Sequence, residues 1–311
     1  MEHKRVNLGY LTFLILEIIL IFTIGIWDRY LDLDDSMVST LLAESTILIP
    51  PIIFIFLGRK EYSIKERVGL KLMKPSTVVI VILYAIVVMP IGTLANAISM
   101  LWVDNTVLEA SGTMLDNDWY MALIAIAIVA PFVEEFCFRG FVYNGYRYDG
   151  ARLSAVFMSA LMFAFMHMNF NQAAYAFVIG IAFAVIYEAT GSLWSSFICH
   201  SLFNAESVIL MFIADHFYPG IYDEMTINRD EIMSDIPVYA IIAVFAIVIG
   251  ICLIYVAAKI ENRHERLKEL FEGFNYGTGS KKVKIVTAPL VISLVLLFAY
   301  MILSEVVNRM M

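Results

Sequence analysis

Runs of about 20 apolar residues recur along this chain, and no other feature limits its fold as severely. The hydrocarbon core of a bilayer is ~30 Å thick, so a helix that crosses it needs ~20 mostly apolar residues. Nine such runs lie near 8–27, 37–57, 77–102, 119–138, 153–168, 172–187, 192–214, 236–258 and 285–306 of the 311 residues. Backbone amides in hydrocarbon must be satisfied within their own segment, so these runs predict an all-α, polytopic transmembrane bundle. Composition excludes the soluble alternatives. Hydrophobic residues make up 61% and charged residues 16% of the chain, against ~45–50% and ~25% in soluble domains. The three cysteines stand singly in apolar runs, which excludes a secreted disulfide scaffold. A net charge of −8 gives no footprint for nucleic acid. The first run is too long for a signal-peptide core and is followed by Asp28, Arg29, Tyr30 and Leu31, so it reads as a retained span.

Orientation follows from the basic residues, which stay on the cytoplasmic side. Lys4 and Arg5 precede the first span, six basic residues lie in 58–76, three in 139–152 and seven in 259–284, eighteen of the twenty-one in the chain. The alternate loops are acidic: Asp28, Asp32, Asp34 and Asp35, then Asp104, Glu109, Asp116 and Asp118, then 215–235. This alternation predicts a cytoplasmic N-terminus. It divides the chain into 1–118 with three spans, a core of four spans over 119–214, and 215–311 with two more spans. Within 259–284, Ile260, Leu267, Leu270, Phe271 and Phe274 share one helical face, which reads either as a helix at the inner interface or as a solvated connector.

Ionisable residues inside spans are costly and are functional candidates by default. Glu17 and Glu44 stand alone and are expected to be satisfied by local hydrogen bonds. The others, Glu134, Glu135, Arg139, His167, Glu188, His200 and Glu206, fall in the four core spans. Neighbours on a helix point ~100° apart, so Glu134 and Glu135 cannot serve the same purpose. Glu135 precedes Arg139 by four residues, the favourable order for an ion pair. Glu134 is left to meet another helix, as a candidate general base. His200 and Asn204 are also four apart, so two donors stack on one face and can point at one oxyanion. Measured from the Asp149-Gly150 turn, Glu134 and His167 lie roughly 23 and 26 Å away at 1.5 Å per residue, nearly level in an antiparallel hairpin. Cys137, on nearly the same face as Glu134, invites a thiol-nucleophile reading, although buried cysteines more often act as small hydrophobes.

Taken in order, Glu134-Glu135-x-x-x-Arg139-Gly140, Phe163-x-x-x-His167 and His200-x-x-x-Asn204 resemble the three motifs of the CPBP family. These are the Abi, or type II CAAX prenyl endopeptidase-like, intramembrane proteases. The Tyr187–Leu193 turn resembles them too, and the resemblance covers roughly 119–210. It implies hydrolysis of peptide bonds in membrane-embedded or lipidated substrates within the bilayer. It further implies that Glu134 and His167 activate water, that His200 and Asn204 stabilise the oxyanion, and that Glu135 and Arg139 hold the site together. The family has been described as metal-dependent, and Glu134, His167 and His200 form a possible Zn2+ set. The chain has no His-Glu-x-x-His, and Asn204 is a poor zinc ligand, so a metal-free glutamate mechanism without cofactor is favoured. The expected setting is the plasma membrane, with the site toward the cytoplasm. Two other readings stand beside it: a proton-coupled transporter using Glu17, Glu44, Glu134, His167 and Glu206 as a relay, and a non-catalytic immunity or scaffold protein.

Overall fold

The computed structural model describes residues 2–31, 36–57, 63–224, 227–271 and 284–310. It is all-helical among these residues. The long helices are α1 (Glu2–Trp27), α2 (Ser36–Phe56), α3 (Pro75–Ser99), α4 (Trp119–Tyr148), α5 (Leu153–Met166), α6 (Phe170–Thr190), α7 (Leu193–Phe217), α8 (Arg229–Ile260) and α9 (Ala288–Asn308). Eight of the described helices are long and apolar enough to cross a bilayer, and α5 is the exception. Its 14 residues rise only ~21 Å at 1.5 Å per residue. The span expected over 153–168 therefore stops short. The chain reverses at His167, Met168 (φ 55°) and Asn169, and α6 runs back beside α5.

Polar side chains explain why the reversal occurs there. The Asn169 carboxamide oxygen accepts the Gln172 N–H at 2.7 Å, capping α6, and also the Thr106 hydroxyl at 3.1 Å. Asn171 is buried and donates to Asn96 Oδ1 at 2.7 Å and to the Ser99 hydroxyl at 2.9 Å. The turn bearing His167 is thereby tied to the C-terminal end of α3 and the loop that follows it.

α4, α5 and α6 are the most buried of the long helices, and the core lies around them. The outward faces of α1, α8 and α9 carry exposed Ile, Val, Leu and Phe, as a lipid-facing surface requires. α8 lies along α3 through a stripe of small residues, Ala243, Ala246, Gly250, Ala257 and Ala258, which lets the two backbones approach closely. α9 packs against α1 through Leu290, Leu297 and Met301.

The end of the bundle that carries the basic loops is closed by polar contacts. Glu188 accepts from the Tyr143 hydroxyl at 2.7 Å, Arg147 Nη2 at 2.7 Å and Arg266 Nε at 3.2 Å. Arg266 belongs to the short helix His264–Phe271, whose Leu267 and Leu270 are buried, so the amphipathic segment docks as an interfacial helix over this stretch. The rest of that expected segment, 272–283 with Phe274, lies outside the described residues, as do Asp32, Asp34 and Asp35. Gly69 (φ +78°) ends the short helix Ile64–Val68 and receives the Leu193 N–H; a Cβ there would collide with the Tyr187 hydroxyl. Just beyond α8, Glu261 accepts the Lys74 N–H at 2.9 Å and the Thr77 hydroxyl at 2.7 Å. Burial pushes its carboxyl up, but these bonds and the nearby Lys71 and Lys74 charges outweigh it, and the group is held below the ordinary carboxylate range. That contribution to stability is present above the ordinary range and is lost as pH falls through the lowered value.

Removing one partner of a buried ion pair leaves the other charge uncompensated, at a cost of ~3–5 kcal/mol. Glu188→Ala is therefore expected to lower the thermal stability of the detergent-extracted protein strongly, because Arg147 is buried. Glu188→Leu combined with Arg147→Met is expected to recover most of it, and melting of both variants in one detergent checks this.

Candidate active site

The expected pair forms: Arg139 Nη1 lies 2.8 Å from Glu135 Oε1, and neither side chain has any exposure. Arg139 Nη2 donates to the Gly180 carbonyl at 3.0 Å, and the guanidinium sits 4.7 Å over the Phe163 ring and 5.5 Å from that of Phe183. A buried charge of this kind is stable only with its partners in place.

The same carboxylate reaches α7. His200 Nδ1 lies 3.0 Å from Glu135 Oε1, and Nε2 lies 3.4 Å from Glu134 Oε2. Phe163 and Phe183 also pack on the imidazole, with ring centroids 5.5 and 5.2 Å away. His200 thus bridges the two adjacent carboxylates of α4, one of them committed to Arg139 and the other facing a cavity. His167 caps the C-terminal end of α5 at the start of the reversal, and its Nδ1 contacts the Phe163 carbonyl at 3.0 Å, so that Nε2 is the nitrogen left for the cavity.

α4 is not the uniform α-helix that the spacing suggests. Two π-helical stretches, Ala125–Val129 and Phe136–Tyr143, flank the segment Ala130–Glu135. The first follows from Pro131. In the π pattern the Ala130 N–H bonds the Ala125 carbonyl, five residues back, and the next carbonyl, that of Ile126, faces a proline without an N–H. Asn204 Nδ2 fills that position at 2.9 Å. One amide hydrogen of Asn204 is therefore spent on anchoring α7 to α4, and the second remains for the cavity.

Glu134, His167, His200 and Asn204 line one cavity of about 260 Å3. Its other walls include Gln172 and Tyr175 of α6, Ser207 and Met211 of α7, Val107 and Met114 of the loop after α3, and Thr40 and Glu44 of α2. The contributions of α4 and α7 run from Glu134 and His200 toward the acidic loops, and Phe163 of α5 and Ile179 of α6 line the cavity at its other end. Toward the basic loops, Arg139, Phe138, Phe163 and Phe183 fill the bundle with almost no exposure.

Two further expectations hold, for Cys137 and Glu17, and one changes, for Glu44. Cys137 Sγ points away from the cavity, toward the Ile47 carbonyl at 3.3 Å, and serves packing. Glu17 accepts the Thr46 hydroxyl at 2.6 Å, as a locally satisfied carboxylate should. Glu44 differs: it is buried and its Oε2 has no hydrogen-bond partner. Glu206 is exposed beside a smaller cavity with Thr93 and Asn96. Among the described residues, no group of three or more His, Cys, Asp or Glu side chains is arranged to hold a metal ion.

Residues 116–205 match the family described as type II CAAX prenyl endopeptidase Rce1-like. That stretch runs from α4 to the Asn204 turn of α7, so the resemblance carried by the three motifs is borne out over the site-bearing core. No curated protein and no solved structure matches the chain.

Leaving the Ile126 carbonyl without its donor costs ~1–3 kcal/mol. Asn204→Leu is expected to destabilise the protein by about that amount, and Pro131→Ala in the same chain is expected to restore most of it by supplying a backbone N–H. Thermal unfolding of the four chains of this cycle checks the coupling.

Proposed function

We propose that this integral, multi-pass membrane protein is an intramembrane endopeptidase that hydrolyses peptide bonds in membrane-embedded or lipidated substrates. The observation that carries the reading is His200 held between Glu135 and Glu134 on the wall of a cavity inside the bundle. The match of this core to a peptidase family supports it.

Glu134 takes a proton from water while the water oxygen attacks the scissile carbonyl carbon, and His167 orients that water through Nε2. Charge then develops on the carbonyl oxygen. His200 Nε2, which donates when both ring nitrogens carry hydrogen, and the free amide hydrogen of Asn204, one helical turn away, are the donors that receive it. Glu135 holds the His200 ring through Nδ1, and Arg139 holds Glu135, so both act as positioning residues. Pre-positioning matters here because donors in a dry, low-dielectric cavity need no reorganisation as charge appears. In this reading the chemistry is carried by these side chains without a metal.

Because basic loops stay in the cytoplasm, a cavity reaching toward the acidic loops receives substrate from the outer half of the plasma membrane. In cells expressing a chain without native cysteines, Ser207→Cys is expected to react with an impermeant maleimide added outside. Labelling only in inside-out vesicles contradicts this sidedness.

With an identified substrate in proteoliposomes, Glu134→Gln and His200→Ala are expected to abolish cleavage, and Asn204→Ala to lower kcat by ~10²–10³. Unchanged turnover in Glu134→Gln at equal protein level contradicts the reading.

A further inference from the structure

Glu44 is a buried carboxyl that nothing in the mechanism above employs. It lines the same cavity as Glu134, His167 and His200, and its Oε2 meets no partner. Glu17, the other carboxylate in the two N-terminal helices' apolar stretches, is accounted for by Thr46; Glu44 has no such explanation. Register places it further. α2 and α4 both run from the acidic-loop end toward the basic-loop end and pack together. Cys137 on α4 meets the carbonyl of Ile47 on α2 at 3.3 Å. Glu134 and Glu44 each lie three residues before these contact points, hence about one turn back along two helices that run the same way. The two carboxyls are therefore at about the same level, and both line one cavity.

We infer that Glu44 is a second catalytic carboxyl, the acid that protonates the leaving nitrogen; this rests on the peptidase reading above. Two carboxyls in one shielded space divide into a base and an acid, as they do where environment sets their roles apart. Glu134 removes a proton from water, and the water oxygen forms the bond to the carbonyl carbon. The carbonyl π pair moves to the oxygen held by His200 and Asn204. When the carbon–nitrogen bond breaks, its electron pair stays on nitrogen, which takes the proton of Glu44. The proton held by Glu134 then passes through solvent to Glu44, so one water is consumed and one acid and one amine leave.

The role of an acid is separable from that of a wall. On a peptide substrate in proteoliposomes, Glu44→Gln is expected to lower kcat by about 10²-fold or more, the range of general acid catalysis. KM is expected to stay within about two-fold, since the substituted group is isosteric. An ester of the same sequence with a good leaving group needs no protonation, and Glu44→Gln is expected to cleave it within about five-fold of the native rate. Glu44→Asp is expected to restore part of the peptide rate. Equal losses on peptide and ester, or an unchanged peptide rate, overturn the role of Glu44. Full activity of Glu134→Gln would instead overturn the underlying peptidase reading. Infrared spectroscopy in lipid gives a readout independent of turnover. A protonated-carboxyl band at neutral pH is expected to be lost in Glu44→Gln and kept in Glu17→Gln, and a spectrum unaltered by Glu44→Gln contradicts the assignment.

Discussion

A guanidinium without solvent cannot remain inside an apolar bundle unless its partners surround it, and Arg139 sets that condition for the whole site. Its charge holds Glu135, Glu135 fixes Nδ1 of His200, and Nε2 consequently faces Glu134. Arg139 also binds the Gly180 carbonyl of α6, and the rings of Phe163 and Phe183 pack on it. One buried cation thus ties α4, α5, α6 and α7 at a single level. It also explains how two adjacent glutamates acquire different duties. Glu135 is committed to the ion pair, and Glu134, turned ~100° away, faces the cavity.

The cavity exists because helices depart from regularity beside it. Pro131 withholds an N–H from the Ile126 carbonyl, α4 winds into a π turn, and Asn204 is drawn in as the replacement donor. Such π turns occur preferentially at functional sites. α5 ends early, and a network of Thr106, Asn169, Asn171, Asn96 and Ser99 holds the reversal that carries His167. Arg139 and its aromatic neighbours pack on one side of this level with almost no exposure.

Much of this was legible in the residues themselves. Long apolar runs reveal spans because hydrocarbon admits few alternatives, and Glu135–Arg139 and His200–Asn204 declare themselves by helical spacing. Contacts between distant helices are another matter. An apolar run does not distinguish a helix that crosses the bilayer from one that stops inside it, so the end of α5 at Met166 was hidden, although Asn169 and Asn171 just beyond it were the available signal. Glu44 looked as isolated as Glu17, because neither hydropathy nor period reveals that one meets Thr46 and the other a cavity. Arg147 and Glu188 were visible separately, but their pairing depends on the fold that brings α4 and α6 together. The direction of the cavity likewise depends on which level the aromatic side chains fill.

On the proposed reading, Glu134 activates water to cut peptide bonds at bilayer depth. Comparing the membrane peptidomes of cells that carry the native chain or Glu134→Gln, at equal protein levels and in 18O-labelled water, tests it most directly. New C-termini, each bearing one label, are expected in membrane-embedded or lipidated proteins of the native cells, and none of these with Glu134→Gln. Indistinguishable peptidomes would contradict it.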